Sequence, residues 1–377
     1  MNDIGVVVAG TGFIGPVHVE ALRRLGIPIR GVLGRDLEQS EAASEALGLP
    51  RGYGSYEEVL SDPTVQAVHL AVPNVLHYEF SRRALLAGKH VMCEKPLAMD
   101  AEEGKELVTL AKEKNLHAGV CYNIRFYPLN LEARARIQNM GKVYSIVGRY
   151  VQDWLLYDTD FNWRVLSSEG GALRAVSDIG THWLDLIHSI TGLKTESVFA
   201  DLSIVHPVRK KPKGGVATYT SAEGQDLEDV PVNTEDCGCV ILRMKGGARA
   251  VLWVSQVTAG RKNYCTYEIS AETGSLSWCS ERPNELFIGH RSKSNELLTR
   301  DPALMDATVR GFSNYPGGHN EGFPDAFKQC FRAFYEDIAS GADPQSARYP
   351  TFADGLYKMV LCDAIMESHT KQRWVHL

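Results

Sequence analysis

Residues 4–26 read IGVVVAGTGFIGPVHVEALRRLG, and this stretch decides the fold. Its first part is apolar and β-branched, as in a strand buried on both faces of a parallel sheet. The part after Phe13 repeats apolar residues at helical spacing and closes on Gly26. Between the two lies Gly10-Thr11-Gly12-Phe13-Ile14-Gly15, a G-x-G-x-x-G spacing. Alone that spacing says little, but it gains meaning at a first strand-to-helix turn. There Gly10 permits the tight turn, Gly12 lets backbone approach a pyrophosphate, and Gly15 lets helix and strand pack closely. The unpaired N–H groups at the helix start, around Phe13 and Ile14, then face phosphates.

The alternation continues outward from this turn. IPIRGVLG reads as a second strand and LEQSEAASEALG as a second helix. SYEEVLSDP opens with a capping box, Ser55 to Glu58, and DAEEGKELVTLAKEKN with another, Asp100 to Glu103. VQAVHLAVP, HVMCE and HAGVCY are further strands, with HYEFSRRALLAG a helix between the first two. Such a succession predicts a doubly wound parallel sheet with helices on both faces. We expect it to occupy residues 1–122. At the tip of the second strand, Gly34-Arg35-Asp36 leaves the cofactor open: a carboxylate there favours NAD, an arginine NADP.

CEKP, residues 93–96, follows a later strand and so sits at the carboxyl edge, where open α/β sheets bind ligands. Pro96 restricts the backbone of Lys95 and permits a cis bond. An ammonium from Lys95, beside the cofactor and flanked by Glu94, would hydrogen-bond a substrate hydroxyl and stabilise charge as its proton leaves.

Strand patterns at 143–151, 196–205, 236–244, 248–257 and 264–271 come with short turns such as KGGA. They predict a second α/β domain, 123–377, around an open and mostly antiparallel sheet. In SDIGTHWLDLIHSITG, Ile179, Trp183, Leu186, Ile187 and Ile190 form a helical core face. Asp178 and His182 stand four apart on another face, so the imidazole can take a proton while the carboxylate orients it or binds substrate. QDWLLYDTDFNWR (152–164) carries Asp153, Trp154, Trp163 and Arg164. Aromatic faces beside such polar groups suit a sugar ring, although a loop packed against a neighbouring subunit would read the same.

Bulk properties bound the class. The 377 residues suit two domains, and 44% hydrophobic with 23% charged residues is an ordinary globular balance. A net charge of −6 gives no field to attract nucleic acid or an anionic membrane. The basic RKKPK (209–213) and the acidic stretch 223–236 read together as a solvated loop spanning 206–235. No apolar run reaches a membrane span, and strand-like residues from Ile4 onward leave no room for a signal peptide, so we expect a cytoplasmic protein. The eight cysteines are scattered without zinc spacing, so no metal is expected.

The glycine turn, AVPNVLHYE (71–79), CEKPLAMD (93–100), GVCYNIRFYP (119–128) and SEGGALRAVSDIGTHWLDL (168–186) together resemble the glucose–fructose oxidoreductase/inositol dehydrogenase (Gfo/Idh/MocA) family. The resemblance runs along nearly the whole chain. It implies a Rossmann domain followed by an α/β domain with an open sheet. It carries the family's catalytic lysine onto Lys95, within Glu94-Lys95-Pro96, and its Asp-x-x-x-His pair onto Asp178 and His182. Asn74 and His77 match its cofactor-side loop, and Tyr122, Asn123 and Arg125 match substrate-side positions. PGGHNEGFPDAF (316–327) looks like the late loop of sugar- and cyclitol-oxidising members, which puts His319 toward substrate. One departure is ALRAVS, intervening between the glycine-rich lead-in and Asp178.

The resemblance implies an NAD(P)-dependent dehydrogenase acting on a secondary alcohol of a sugar, glycoside or cyclitol, with C3 of a pyranoside one option. It also implies a homodimer or homotetramer. Two other activities fit the same residues. One is a cofactor-retaining enzyme that oxidises a sugar transiently to epimerise it or eliminate a substituent; the other is a non-catalytic NAD(P) sensor. The dehydrogenase reading expects the Lys95 ammonium and the His182 imidazole to meet on one alcohol.

Overall fold

The computed structural model describes residues 3–213 and 226–377. Six strands, β1 (Val6–Ala9), β2 (Ile29–Leu33), β3 (Gly52–Tyr53), β4 (Ala67–Leu70), β5 (His90–Cys93) and β6 (Ala118–Val120), form one sheet in the order β3-β2-β1-β4-β5-β6. Every pairing in it is parallel. The chain winds one way from β1 and the other way from β4, so the switch point lies between these two strands. Crevices at such a point open at the carboxyl ends of the strands. The connecting helices are α1 (Ile14–Arg24), α2 (Leu37–Ala46), α3 (Tyr56–Ser61), α4 (His77–Leu86) and α5 (Ala101–Glu113).

Local chemistry sets the helix starts. Ser55 accepts from the Glu58 amide and Asp100 from the Glu103 amide. The returning carboxylates reach one residue further back than the caps, to the Gly54 and Met99 amides. Only β3 lacks a sequence signal, since two residues show no periodicity.

A second sheet has nine strands among the described residues, beginning with β7 (Val143–Val151) and β8 (Thr195–Ser203), while β9 (Val208–Pro212) and β10 (Leu227–Pro231) are set apart. Its other members are β11 (Cys237–Met244), β12 (Arg249–Ser255), β13 (Tyr264–Ala271), β14 (Gly274–Cys279), β15 (Glu285–Gly289), β16 (Glu296–Thr299) and β17 (Val375–His376). The order is β16-β15-β14-β13-β7-β12-β11-β8-β17 and only β7 with β12 runs parallel. The apolar stripe of α8 (Thr181–Thr191) supplies Trp183, Leu186, Ile187 and Ile190, all buried. Trp183 donates its indole N–H to the Thr266 carbonyl of β13. With α8 go α6 (Pro128–Ile137) and the single turn α7 (Ser167–Gly170).

One expectation is overturned in this unit. The described residues of 206–235 are not simply a solvated loop: β9 (Val208–Pro212) and β10 (Leu227–Pro231) pair as an antiparallel ribbon. Arg209 is fully buried, and its guanidinium donates to Asp236 and to the Leu155, Tyr157 and Asp160 carbonyls. Lys210 and Lys211 of the same run reach Asp229 and Glu228 at the surface instead. The start of the acidic stretch, 223–225, lies outside the described residues.

The compact units also differ from an uninterrupted second domain. One is Met1–Asn123 with Phe323–Met359; the other is Ile124–Gly322 with Val360–Leu377. The reason is α9 (Phe323–Ser340), whose Phe327 and Phe331 rings pack on His18 of α1 and whose Asp325 pairs with Arg24. The last helix, α10 (Phe352–Lys371), begins in the first unit, where Met359 and Leu356 pack over Gly104 of α5. Among the described residues no helix is long and apolar enough to cross a membrane.

Candidate active site

In the first unit the glycine turn links β1 to α1 at the switch point. Gly10 has φ +113°, and a Cβ there would stand 2.2 Å from the Ala71 carbonyl oxygen after β4. A Cβ on Gly15 would stand 2.1 Å from the Gly10 carbonyl oxygen. Both positions exclude any larger residue by sterics. Gly12 differs: nothing lies within 4 Å of where its Cβ would be. Its glycine answers to no packing inside the protein, and a backbone left bare at a helix start is what a pyrophosphate requires. Phe13 precedes α1 with its ring 53% exposed, and Ile14 is half-buried.

At the tip of β2, Asp36 caps α2 by accepting from the Gln39 amide. That bond, outweighing a small burial effect and helped by Arg35, holds its carboxyl below the usual range. Arg35 Nε lies 3.2 Å from Asp36 Oδ2 with its side chain 81% exposed. Both groups stand at the cofactor end of the strand, and neither is removed from contention by burial.

After β5 comes Glu94, then a cis Lys95–Pro96 bond. Lys95 and Pro96 are half-buried, while Glu94 is buried. Burial alone pushes the Glu94 carboxyl up, but a hydrogen bond from His18 and the Lys95 charge outweigh it and hold it below the ordinary carboxylate range. His77 turns both ring nitrogens onto backbone, Nδ1 to the Pro96 carbonyl and Nε2 to that of Val72. Burial holds its pKa below the ordinary imidazole value. A neutral ring has one N–H, so His77 donates to one of these carbonyls and packs against the other, between the loop after β4 and the Lys95 turn. Asn74, in the short turn before α4, is half-buried.

Sequence spacing hides one cluster here. His18, Glu94 and Cys121 bring donor atoms within 4.8 Å of one another, and hydrogen bonds to Glu94 account for their closeness. At the end of the unit, Tyr122 lies under the Lys358 ammonium, 5.8 Å from its ring centre. Asn123 is 2% exposed, and its Nδ2 has no hydrogen-bond partner among the described residues. Buried amide donors are seldom left so in a native fold.

In the second unit the segment ALRAVS leads directly into the helix of His182. Leu173, Arg174, Ala175 and Val176 are buried, and a π-turn (Val176–Gly180) runs directly into α8. Asp178 thus sits within a π-turn and His182 at the start of the α-helix. Such turns recur at functional sites. Glu235 receives the Arg174 and Val176 amides at this helix start. Asp178 Oδ2 accepts from Gln256 Nε2 at 2.8 Å, and Oδ1 faces Arg164 Nε at 3.7 Å. His182 is half-buried, with its ring centre 6.3 Å from that of Tyr150. Trp163 lies under the Arg164 guanidinium at 4.3 Å. Hence Asp178, Arg164 and Trp163 come together.

Four other expected substrate contacts have partners within the unit. Arg125 makes a two-bond pair with buried Asp185 of α8, which accounts for it without a ligand. Asp153 holds Lys262 at 2.8 Å and the Gly260 amide, and Trp154 donates to Gln152. His319 is exposed, with Nδ1 3.3 Å from the Gly317 carbonyl. Residues that sequence reading missed are Gln256, Arg174 and Asp236, which back Asp178: Gln256 and Asp236 are far from it in sequence, and Arg174, one turn before it, shows its role only through those two.

Comparison with known proteins accords with this geometry. The GFO_IDH_MocA family description, an oxidoreductase family with an NAD-binding Rossmann fold, matches residues 4–122, and the GFO/IDH/MocA C-terminal domain matches 130–277. A levoglucosan dehydrogenase of Pseudarthrobacter phenanthrenivorans is 30% identical, over 100% of this chain and 98% of that protein. A solved levoglucosan dehydrogenase in complex with NADH and levoglucosan superposes with TM-score 0.88 at 28% identity, covering 99% of both chains. An inositol dehydrogenase homologue of Azotobacter vinelandii with NAD+, at 24% identity and TM-score 0.86 over 100% of this chain and 98% of that one, shares the fold. The chain belongs to the Gfo/Idh/MocA oxidoreductase family.

Proposed function

We propose that the protein is an NAD(P)-dependent dehydrogenase that oxidises a secondary alcohol of a sugar, anhydrosugar, glycoside or cyclitol. The observation that carries this reading is the end-to-end likeness to a levoglucosan dehydrogenase solved with NADH and levoglucosan. Gly10, Gly12 and Gly15, with Phe13 and Ile14, would hold the pyrophosphate; Arg35, Asp36 and Asn74 would border the rest of the nucleotide. Bound nicotinamide supplies a hydride acceptor at C4. His182 would take the hydroxyl proton, Lys95 would donate a hydrogen bond to the same oxygen, and Asp178 would orient substrate or imidazole. The Asn123 amide is a donor suited to a sugar hydroxyl, and Trp163 offers a face to ring C–H groups.

The test is a screen of purified protein with NAD and with NADP against monosaccharides, glycosides, anhydrosugars and inositols, read as nicotinamide absorbance. The expected result is reduced cofactor accumulating with at least one polyhydroxylated ring. Turnover of a sugar without accumulation would instead select the cofactor-retaining epimerase or elimination chemistry. Cofactor binding without any turnover would select a sensor.

A further inference from the structure

Behind Glu94, three buried groups stand in line within the first unit. Tyr335 Oη of α9 lies 3.0 Å from His69 Nε2 on β4. His69 Nδ1 lies 3.0 Å from His18 Nδ1 on α1, and His18 Nε2 lies 3.1 Å from Glu94 Oε1. Tyr335, His69 and His18 are fully buried, and Phe331 and Phe334 pack on the rings.

The hydrogens in this line follow from the Tyr335 end. A buried phenol must donate its O–H, and His69 Nε2 is the acceptor in reach. His69 Nε2 then carries a lone pair, so the ring's proton sits on Nδ1 and points at His18 Nδ1. His18 Nδ1 accepts, which leaves its proton on Nε2, pointing at Glu94. Every donor meets an acceptor only when both rings are neutral and the last group is a carboxylate. Burial agrees at two points: it holds the Tyr335 phenol well above, and the His69 imidazole well below, their ordinary ranges.

We infer that Tyr335, His69 and His18 form a one-way hydrogen-bond chain that holds the Glu94 carboxylate, and with it the Lys95 turn, in the geometry the reaction needs. They are positioning residues, since none is argued to touch a reacting atom. What Lys95 does rests on the proposed dehydrogenase reading; the proton order in the chain does not. A neutral chain ending in an anion keeps a fixed negative charge one residue from Lys95 without a second buried charge. It also makes the far end, Tyr335, matter to a turn it does not touch.

The experiment uses full-length protein labelled with 15N-histidine, with ring resonances assigned through His18→Gln and His69→Gln variants. At neutral pH the expected spectrum has His69 protonated on Nδ1 alone and His18 on Nε2 alone. Tyr335→Phe removes one hydroxyl, frees His69 Nε2, and should shift the resonances of both rings. His69→Leu and Tyr335→Phe should each lower kcat, by roughly tenfold or more for His69→Leu, through a displaced turn. A core variant away from the chain, Leu107→Ala, controls for lost stability and should leave kcat unchanged below its melting range. Reversed tautomers, a doubly protonated His18, a Tyr335→Phe spectrum with His18 unmoved, or kcat values equal to the Leu107→Ala control would each overturn the inference. Wild-type protein that binds no NADH in a fluorescence titration would sink the dehydrogenase reading and leave the tautomer result standing.

Discussion

Gln256 Nε2 donates to Asp178 Oδ2 at 2.8 Å, and Gln256 Oε1 accepts from Arg174 Nη1 at 3.4 Å, so the amide has a fixed orientation between a buried guanidinium and an acid in a π-turn. Arg174 in turn pairs with buried Asp236, which Arg209 also holds. Asp178 therefore has its aim set by Gln256, which Arg174 and Asp236 hold in turn. Gln256→Leu should lower kcat/KM about 100-fold, the scale of a misplaced catalytic group, with the NADH dissociation constant unchanged. Steady-state kinetics and a fluorescence titration separate the two quantities. A variant at wild-type kcat/KM would remove Asp178 from any aimed role.

The proposed proton chemistry makes a sharper demand. Lys95→Ala and His182→Ala should each abolish measurable turnover, at least 1000-fold, because each removes a group acting on the hydroxyl. Both should still bind NADH within a few-fold of wild type, since the glycine turn is intact. Single-turnover absorbance and equilibrium binding check this. Near wild-type rates in either variant would end the role assigned to that residue.

Arg209 tests the reading of a charge run against its structure. Its guanidinium bonds three carbonyls and Asp236 in the interior of the second unit. Removing one partner of a buried ion network costs about 3 to 5 kcal/mol, so Arg209→Met should markedly lower the urea midpoint. Lys210 and Lys211 sit in the same run, but their pairs with Asp229 and Glu228 are solvent-exposed. Lys210→Met and Lys211→Met should each leave the urea midpoint nearly unchanged. Equal effects at all three positions would mean Arg209 is not buried as described.

What could be read from sequence was local. The β1 turn and α1, the caps at Ser55 and Asp100, and the apolar stripe of α8 each depend on residues within a few positions of one another. Arg209 and Asp236 could not be read this way, because a basic run looks solvated until its register on a ribbon is known. The line from Tyr335 to Glu94 joins four elements and had no sequence signature. ALRAVS was visible as an irregularity before Asp178, but nothing in its residues announced a π-turn. In the candidate site, the residues proposed to act belong to short local motifs, while the groups that hold Asp178 and Glu94 come from other elements.

Stability should fall on acidification, and the sign follows from buried histidines. Burial, helped by the nearby His117, holds His90 down at about 4, and burial also holds His69, His77 and His117 below their ordinary value. Unfolded, each would protonate near about 6.5. Between that value and the depressed folded values the unfolded chain binds more protons, so their contribution is complete above about 6.5 and is lost as pH falls toward 4. Glu235 opposes this, because burial raises its carboxyl and the folded chain keeps that proton longer. Four groups against one predict a lower urea midpoint at pH 5 than at pH 7.5. A flat or rising midpoint would contradict the buried neutral rings.

The exposed side of the nine-stranded sheet yields the last prediction, on assembly. Register places Leu297, Phe287, Ser277, Glu268, Val147, Val251, Ile241 and Phe199 opposite one another in a row across eight strands. Directly paired residues share a face, and Val147 and Leu297 are 54% and 59% exposed. Six of these eight residues are apolar, more than a solvated face needs, which favours burial against a second copy. Val147→Lys would face Glu268 across the strand pair, so a lone chain tolerates it, whereas a self-complementary apolar contact would not. Light scattering should give a dimer or tetramer for the wild type and a smaller species for Val147→Lys at an unchanged circular dichroism spectrum. A wild-type monomer, or a variant that assembles as before, would assign this face no part in pairing.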